Sequence, residues 1–397
     1  MPGRVHKFGM LFGALVLAAT SGVTQAVASS ENVFYTFERD NDGAGDGAVP
    51  FAGLIADKDG NLYGATLGGG SAGEGTVFKL APDRAETILH SFQGGDDGYL
   101  PEGGLIADAA GNLYGTTAAG GIEHNKGTVF RIAPDGTETV LYRFTGGSDG
   151  GNPMGTLISD GDGNLYGTTY TGGAKRKGVV FMLTPGGIET VLHSFGSGKD
   201  GAAPQGGLIA DGQGNFYGTT AKGGDADAGT VFKLAADGTE SVLHSFGAEG
   251  DGGGPAGELL ADRRGNLYGT TQFGGAENHH CKTGIGCGTV FKITPAGSES
   301  VLYAFVGGQD GRQPSSRLIA DKHNNLYGTT LYGGAKNQGT AFKLAPNGTE
   351  TVLYSFIGKT DGRYPSGPLL ADAKFEHLYG ETSDGGDKQG VVYVIAP

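Results

Sequence analysis

The stretch Asn112-Leu113-Tyr114-Gly115-Thr116-Thr117 decides the fold, because near-copies of it recur seven times along the chain. Its tyrosine reappears as Tyr63, Tyr114, Tyr166, Tyr217, Tyr268, Tyr327 and Tyr379, at steps of 51, 52, 51, 51, 59 and 52 residues. A period of this length means one supersecondary unit per repeat, stacked in an array or closed in a ring.

Reading outward from the motif gives the unit. Leu105-Ile106-Ala107-Asp108 is a short apolar run ended by an acid, Ala109 to Gly111 supply a turn, and Asn112 to Thr117 form a second β-prone run. A glycine-rich connection leads to Thr128-Val129-Phe130-Arg131-Ile132, and Asp135-Gly136 turns the chain into Glu138-Thr139-Val140-Leu141-Tyr142-Arg143-Phe144. The same turn is spelled Asp237-Gly238 and Asn347-Gly348 elsewhere, dipeptides whose tolerance of positive φ suits a tight hairpin. Each repeat therefore reads as four short antiparallel strands. With 80 glycines and no amphipathic helical segment in the mature chain, the fold class is all-β. The expectation is a seven-bladed β-propeller with four-stranded antiparallel blades; a linear β-solenoid is the alternative, which the hairpin turns disfavour. The ends support closure: Val33-Phe34-Tyr35-Thr36-Phe37 matches a fourth strand, and the chain finishes on Val391-Val392-Tyr393-Val394-Ile395, a third strand. Pairing the two completes the last blade and removes two strand edges.

Units such as Asn215-Phe216-Tyr217-Gly218-Thr219-Thr220, Gly223-Gly224 and Gly229-Thr230-Val231-Phe232-Lys233-Leu234 resemble the GloVer (Gloeo/Verruco) tandem repeats of exported bacterial proteins. The resemblance spans residues 33 to 397 and implies export, but brings no catalytic motif. Many family members carry a C-terminal sorting segment; here Pro397 follows the last strand directly, so the expectation is a secreted or periplasmic protein without an anchor.

Residues 1–28 read as a signal peptide, with Arg4 and Lys7 ahead of the uncharged run Met10 to Ala19 and Ala26-Val27-Ala28 as a cleavage site. The mature chain is then residues 29–397, with no later stretch able to insert in a membrane. The net charge of -14 becomes -16 once the two signal cations are removed. That balance argues against nucleic acid as a partner. Cys281 and Cys287 are the only cysteines and are expected to pair as a disulfide within the one enlarged repeat. His279 and His280 precede them, which leaves a metal reading open beside the disulfide.

Residues present in every repeat serve geometry, whereas a single site needs asymmetry. Asp46, Asp97, Asp149, Asp200, Asp251, Asp310 and Asp361 each precede Gly and lie four residues before a proline, a turn pattern. A second ring, Asp57, Asp108, Asp160, Asp211, Asp262, Asp321 and Asp372, reads as turn caps; the twelfth-position glutamate of an EF-hand is missing. No cofactor is called for, and calcium on the acid rings is the one left open. His90, His193 and His244 alternate with Tyr142, Tyr303 and Tyr354, so histidine there reads as interchangeable with tyrosine. The long connections between second and third strands, and between blades, should share one face. Its blade-specific residues Tyr99, Tyr170, Arg176, Phe273, His279, His280, Tyr332 and Tyr364 are the candidate binding surface. Two functions fit: a non-catalytic exported binding or scaffold monomer for an extracellular protein or glycan, or an extracellular lyase or hydrolase acting on a polysaccharide or small ester at the channel mouth.

Overall fold

A computed structural model describes residues 33–38, 45–121, 125–196, 198–247, 250–275, 281, 286–386 and 388–397. The signal-peptide reading, His279 and His280 lie outside the described residues. Seven antiparallel sheets succeed one another along the chain as seven blades. In blade 2 the four strands are Ile106–Ala107, Leu113–Thr117, Thr128–Ile132 and Glu138–Arg143. No α-helix occurs among the described residues, and the regular helical turns are the 3₁₀ segments Gly95–Asp97 and Gly198–Asp200.

The ring closes as expected. Val33–Thr36 pairs with Val391–Ile395, matching Val33 with Tyr393 and Thr36 with Val391, and so supplies the outer strand of blade 7. The fold is a seven-bladed β-propeller, and the solenoid alternative falls away.

The core lies between blades rather than within them. The third strands carry continuous apolar runs because both of their faces are covered; in Thr230–Leu234 four of the five residues are buried. Each apolar cluster joins two neighbours, for example Val77 and Phe92 of blade 1 with Leu105, Leu113 and Phe130 of blade 2. The recurring contact is one phenylalanine after a fourth strand set edge-on to the third-strand ring of the next blade. The seven pairs are Phe37–Phe78, Phe92–Phe130, Phe144–Phe181, Phe195–Phe232, Phe246–Phe291, Phe305–Phe342 and Phe356–Tyr393, all with centroids 4.9 to 5.2 Å apart. Each such ring stabilises by roughly 1.5–3 kcal/mol through burial, and the edge-on geometry adds about 0.5–1.5 kcal/mol.

A polar staple accompanies it. The residue before each repeated proline donates its amide to the preceding blade, as Asn152 does to Lys126 O at 2.6 Å, Ala203 to Lys177 O at 2.8 Å and Tyr364 to Gln338 O at 2.8 Å. These residues hold φ near +57° despite carrying side chains, a conformation the inter-blade bond must maintain. The proline itself rests on a glycine of the previous blade: a Cβ on Gly178, already at φ +100°, would come within 2.7 Å of Pro204 Cδ.

Cys281 and Cys287 are disulfide-bonded. Both lie in the apolar cluster that joins blades 5 and 6, together with Val290, Phe305 and Phe342. The bond thus ties the enlarged connection to a blade junction instead of stiffening an isolated loop.

Closure makes the terminal junction equal to the interior ones. Phe37→Ala is expected to destabilise by ~3–5 kcal/mol in urea unfolding, as much as Phe195→Ala; a loss below about 1 kcal/mol for Phe37→Ala alone would mean that the ring is open there.

Candidate functional site

The repeated polar residues are consumed by the scaffold. Asp108 accepts the amides of Ala110 and Asn112 on one oxygen, and Asn112 Nδ2 at 2.7 Å and Tyr114 OH at 3.0 Å on the other. Six blades repeat this cage, which holds their carboxyls below the ordinary range because hydrogen bonds to the charged form outweigh burial. In blade 7 His377 replaces the asparagine, donating its Nδ1–H to Asp372 at 2.8 Å. The Asp-Gly ring is likewise bonded. Asp97 accepts the Gln93 amide at 2.6 Å and faces His90 Nε2 at 3.1 Å; Asp361 accepts the Ile357 amide and the Tyr354 hydroxyl at 2.8 Å. Histidine and tyrosine do exchange in one bonding role.

What the repeat pattern did not reveal is the channel wall. Each innermost strand is split: in blade 1 Pro50 pairs with Thr66 and Ile55 with Tyr63, so residues 51–54 stand opposite only two partners and bulge toward the axis. The sequence signal was present as Pro-x-small-x-Leu, seen in Pro50 to Leu54, Pro153 to Leu157 and Pro365 to Leu369. The bulges enclose a cavity of about 100 Å³. Its charges are blade-specific: Glu102, whose carboxyl burial pushes up, and Glu258, paired with Arg317 at 3.3 Å.

Behind this wall, blade 7 departs from the others. Where Thr168 and Thr219 donate to the next blade's Gly206 O and Gly257 O at 3.0 and 3.2 Å, blade 7 carries Glu381, whose Oε2 accepts the Gly53 amide at 2.8 Å. Where the other third strands carry phenylalanine, blade 7 carries Tyr393. Glu381 is 0% and Tyr393 1% exposed, and neither Glu381 Oε1 nor the Tyr393 hydroxyl has a hydrogen-bond partner. Burial pushes the Glu381 carboxyl up to about 8 and the Tyr393 phenol up as well.

On the loop face, bridges such as Tyr99 with Ala119 and Arg312 with Tyr332 set the two long connections side by side, as expected. The candidate residues separate there. Tyr99, in blade 2, accepts a bond from Asn125 Nδ2 at 2.9 Å; Tyr170 and exposed Arg176 belong to blade 3; Phe273, 39% exposed, belongs to blade 5. Tyr332 and Tyr364 come together, with ring centroids 5.3 Å apart. Each also lies under a guanidinium: Arg312 is 4.9 Å from the Tyr332 ring and Arg363 is 5.3 Å from that of Tyr364. Arg363 is neutralised by Asp384 at 2.6 Å, whereas Arg312 donates to the neutral Asn337 Oδ1 at 3.3 Å. Both arginines were overlooked, although Asp-Gly-Arg occurs in only two of the seven repeats, at Asp310-Gly311-Arg312 and Asp361-Gly362-Arg363.

Comparison with known proteins fits this description. The Gloeobacter/Verrucomicrobia repeat matches residues 17–213 and again 177–393, so the chain belongs to that repeat family. A search of curated proteins finds no match. Among solved structures, the chain is similar to a streptogramin B lyase, with TM-score 0.60 and 12% identity over 93% of this chain and 100% of that one. It is also similar to the extracellular domain of a one-component system of B. thetaiotaomicron, with TM-score 0.57 and 10% identity over 92% of this chain but 40% of that one. A puromycin-hydrolyzing peptidase of Mycobacterium tuberculosis gives TM-score 0.53 and 12% identity over 88% and 52%. At these identities the likeness concerns the fold alone.

Glu381 makes stability depend on pH. Its carboxyl is raised on folding, so its contribution is complete below about 4.5 and is lost as pH rises through about 8. Glu381→Gln keeps an acceptor for the Gly53 amide without ionising. The melting temperature of the unsubstituted protein should therefore fall more steeply between about pH 5 and pH 8 than that of Glu381→Gln; parallel slopes would contradict this role.

Proposed function

We propose that this chain is an exported, non-catalytic binding propeller that holds an extracellular glycan bearing carboxylates on the loop face of blades 6 and 7. The carrying observation is the Arg312–Tyr332–Tyr364–Arg363 cluster, because two phenol faces offer stacking area and Arg312 offers a guanidinium to an incoming carboxylate. Tyrosine supplies the aromatic surface in a chain with no tryptophan. The staple that fixes Tyr364 at φ 59° pre-organises the cluster, which lowers the entropy cost of binding.

A lyase or hydrolase at the channel is the second reading, favoured by the asymmetric Glu102, Glu258 and Arg317. Its size weighs against it: ligand pockets usually occupy ~300–1,000 Å³, several times the cavity of about 100 Å³. Export rests on the leader-like residues 1–28 and on the disulfide, which suits an oxidising compartment. No helix among the described residues is long and apolar enough to cross a membrane.

Calorimetric titration of residues 29–397 with uronate-containing oligosaccharides and their neutral counterparts tests the reading. Expected is binding of the acidic set, weakened at least ~10-fold by Arg312→Ala or Tyr364→Ala and unaffected by Glu102→Gln. Loss of binding in Glu102→Gln alone, or turnover of the oligosaccharide, would shift the assignment to the channel.

A further inference from the structure

The junction of blades 3 and 4 gathers a second set of side chains that the binding face does not use. His193 comes from the outer strand of blade 3, Glu189–Ser194; Asp200 ends the 3₁₀ turn Gly198–Asp200; Glu240 opens the outer strand of blade 4, Glu240–Ser245. One ligand atom from each lies within 4.8 Å of the other two, and His193 Nε2 is 3.0 Å from Asp200 Oδ1. Ligand atoms about 2.1 Å from a tetrahedral ion stand ~3.4 Å apart, so the set closes on an ion once its side chains move together by roughly an ångström. The other Asp200 oxygen accepts the Gly196 amide, which holds the carboxylate in place.

Glu240 Oε1 is shielded from solvent and without a hydrogen-bond partner among the described residues, as are the equivalent oxygens of Glu86, Glu138, Glu189, Glu299 and Glu350 at other junctions. Two carboxylates and an imidazole thus face one another across a blade boundary with one acceptor left unsatisfied. At other junctions tyrosine takes the histidine's place, as where Tyr142 donates to Asp149 and Tyr303 donates to Asp310 at 2.9 Å. A phenol settles the aspartate by donating a hydrogen bond; an imidazole nitrogen can instead offer a lone pair. His90 with Asp97 and His244 with Asp251 repeat the pairing, but among the described residues the convergence of three ligand atoms occurs at the His193 junction alone. The site is only part-covered: the His193 and Asp200 side chains are 18% and 23% exposed.

We infer that His193, Asp200 and Glu240 form a binding site for one divalent transition-metal ion that cross-links blades 3 and 4. One nitrogen and two carboxylate oxygens, with a remaining position for water, suit Zn²⁺, which such donors hold more tightly than Mn²⁺. Calcium is disfavoured, since it takes six to eight oxygens.

The test is metal titration of tag-free residues 29–397 with Zn²⁺, followed by calorimetry and, with Co²⁺ in its place, by visible absorption. One equivalent is expected to bind. His193→Tyr installs the residue that blades 2, 5 and 6 use at this position, so the variant keeps its fold; it and Glu240→Gln should each weaken Zn²⁺ more than about tenfold. His244→Tyr and the double variant His279→Ala, His280→Ala should bind as the unsubstituted protein does. Absence of a stoichiometric site, an unchanged affinity in His193→Tyr, or loss of binding in the His279/His280 variant would overturn the assignment.

Discussion

The edge-on contact of one aromatic ring with the next, repeated from blade to blade, is the constraint on which the structure depends. A four-stranded blade of two- to seven-residue strands cannot bury its own faces, and only a neighbour supplies the missing surface. Because the phenylalanine sits after the fourth strand and its target sits in the following third strand, the contact has a direction along the chain. It ends only when the last blade, reached at Phe356–Tyr393, meets the first at Phe37–Phe78. The staple amides, the glycine beneath each proline and the caged aspartates all serve to hold blades at the spacing those rings require.

Repetition also explains where function can reside. Residues that recur seven times are committed to bonds with their own blade or its neighbour, which leaves chemistry to the exceptions. Three places stand out: the arginine and tyrosine pairs on blades 6 and 7, the blade 3–4 boundary where a histidine converges with the recurring aspartate and glutamate, and the buried Glu381 with Tyr393 in the closing blade. The first is open to a ligand, the second is half-buried at a junction, and the third lies behind the channel wall at the point where the two chain ends are joined.

Much of this was legible in the sequence because β-hairpin chemistry is local. Turn dipeptides, the alternation of strands and the matching of Val33 to Phe37 with later fourth strands fixed blade number and closure, and Cys281 with Cys287 pointed to the disulfide. Adjacency between repeats was not legible. Tyr332 and Tyr364 were both expected on the loop face, yet their contact depends on how blade 7 leans on blade 6, which no spacing encodes. Arg312 and Arg363 escaped notice because a charged residue beside a turn reads as solvated surface. Glu381 escaped because a glutamate in place of threonine looks polar and tolerable until the neighbouring blade covers it.

The most direct test of a ring locked by equivalent junctions is native-state hydrogen exchange across the third strands. If the account is right, the amides of Val391–Ile395 in the closing blade exchange as slowly as those of Thr230–Leu234 in the middle of the chain, because both open only when the whole ring opens. Exchange of Val391–Ile395 that is faster by orders of magnitude, with Thr230–Leu234 still protected, would show that the last blade frays independently and that the aromatic contacts do not form one closed circuit.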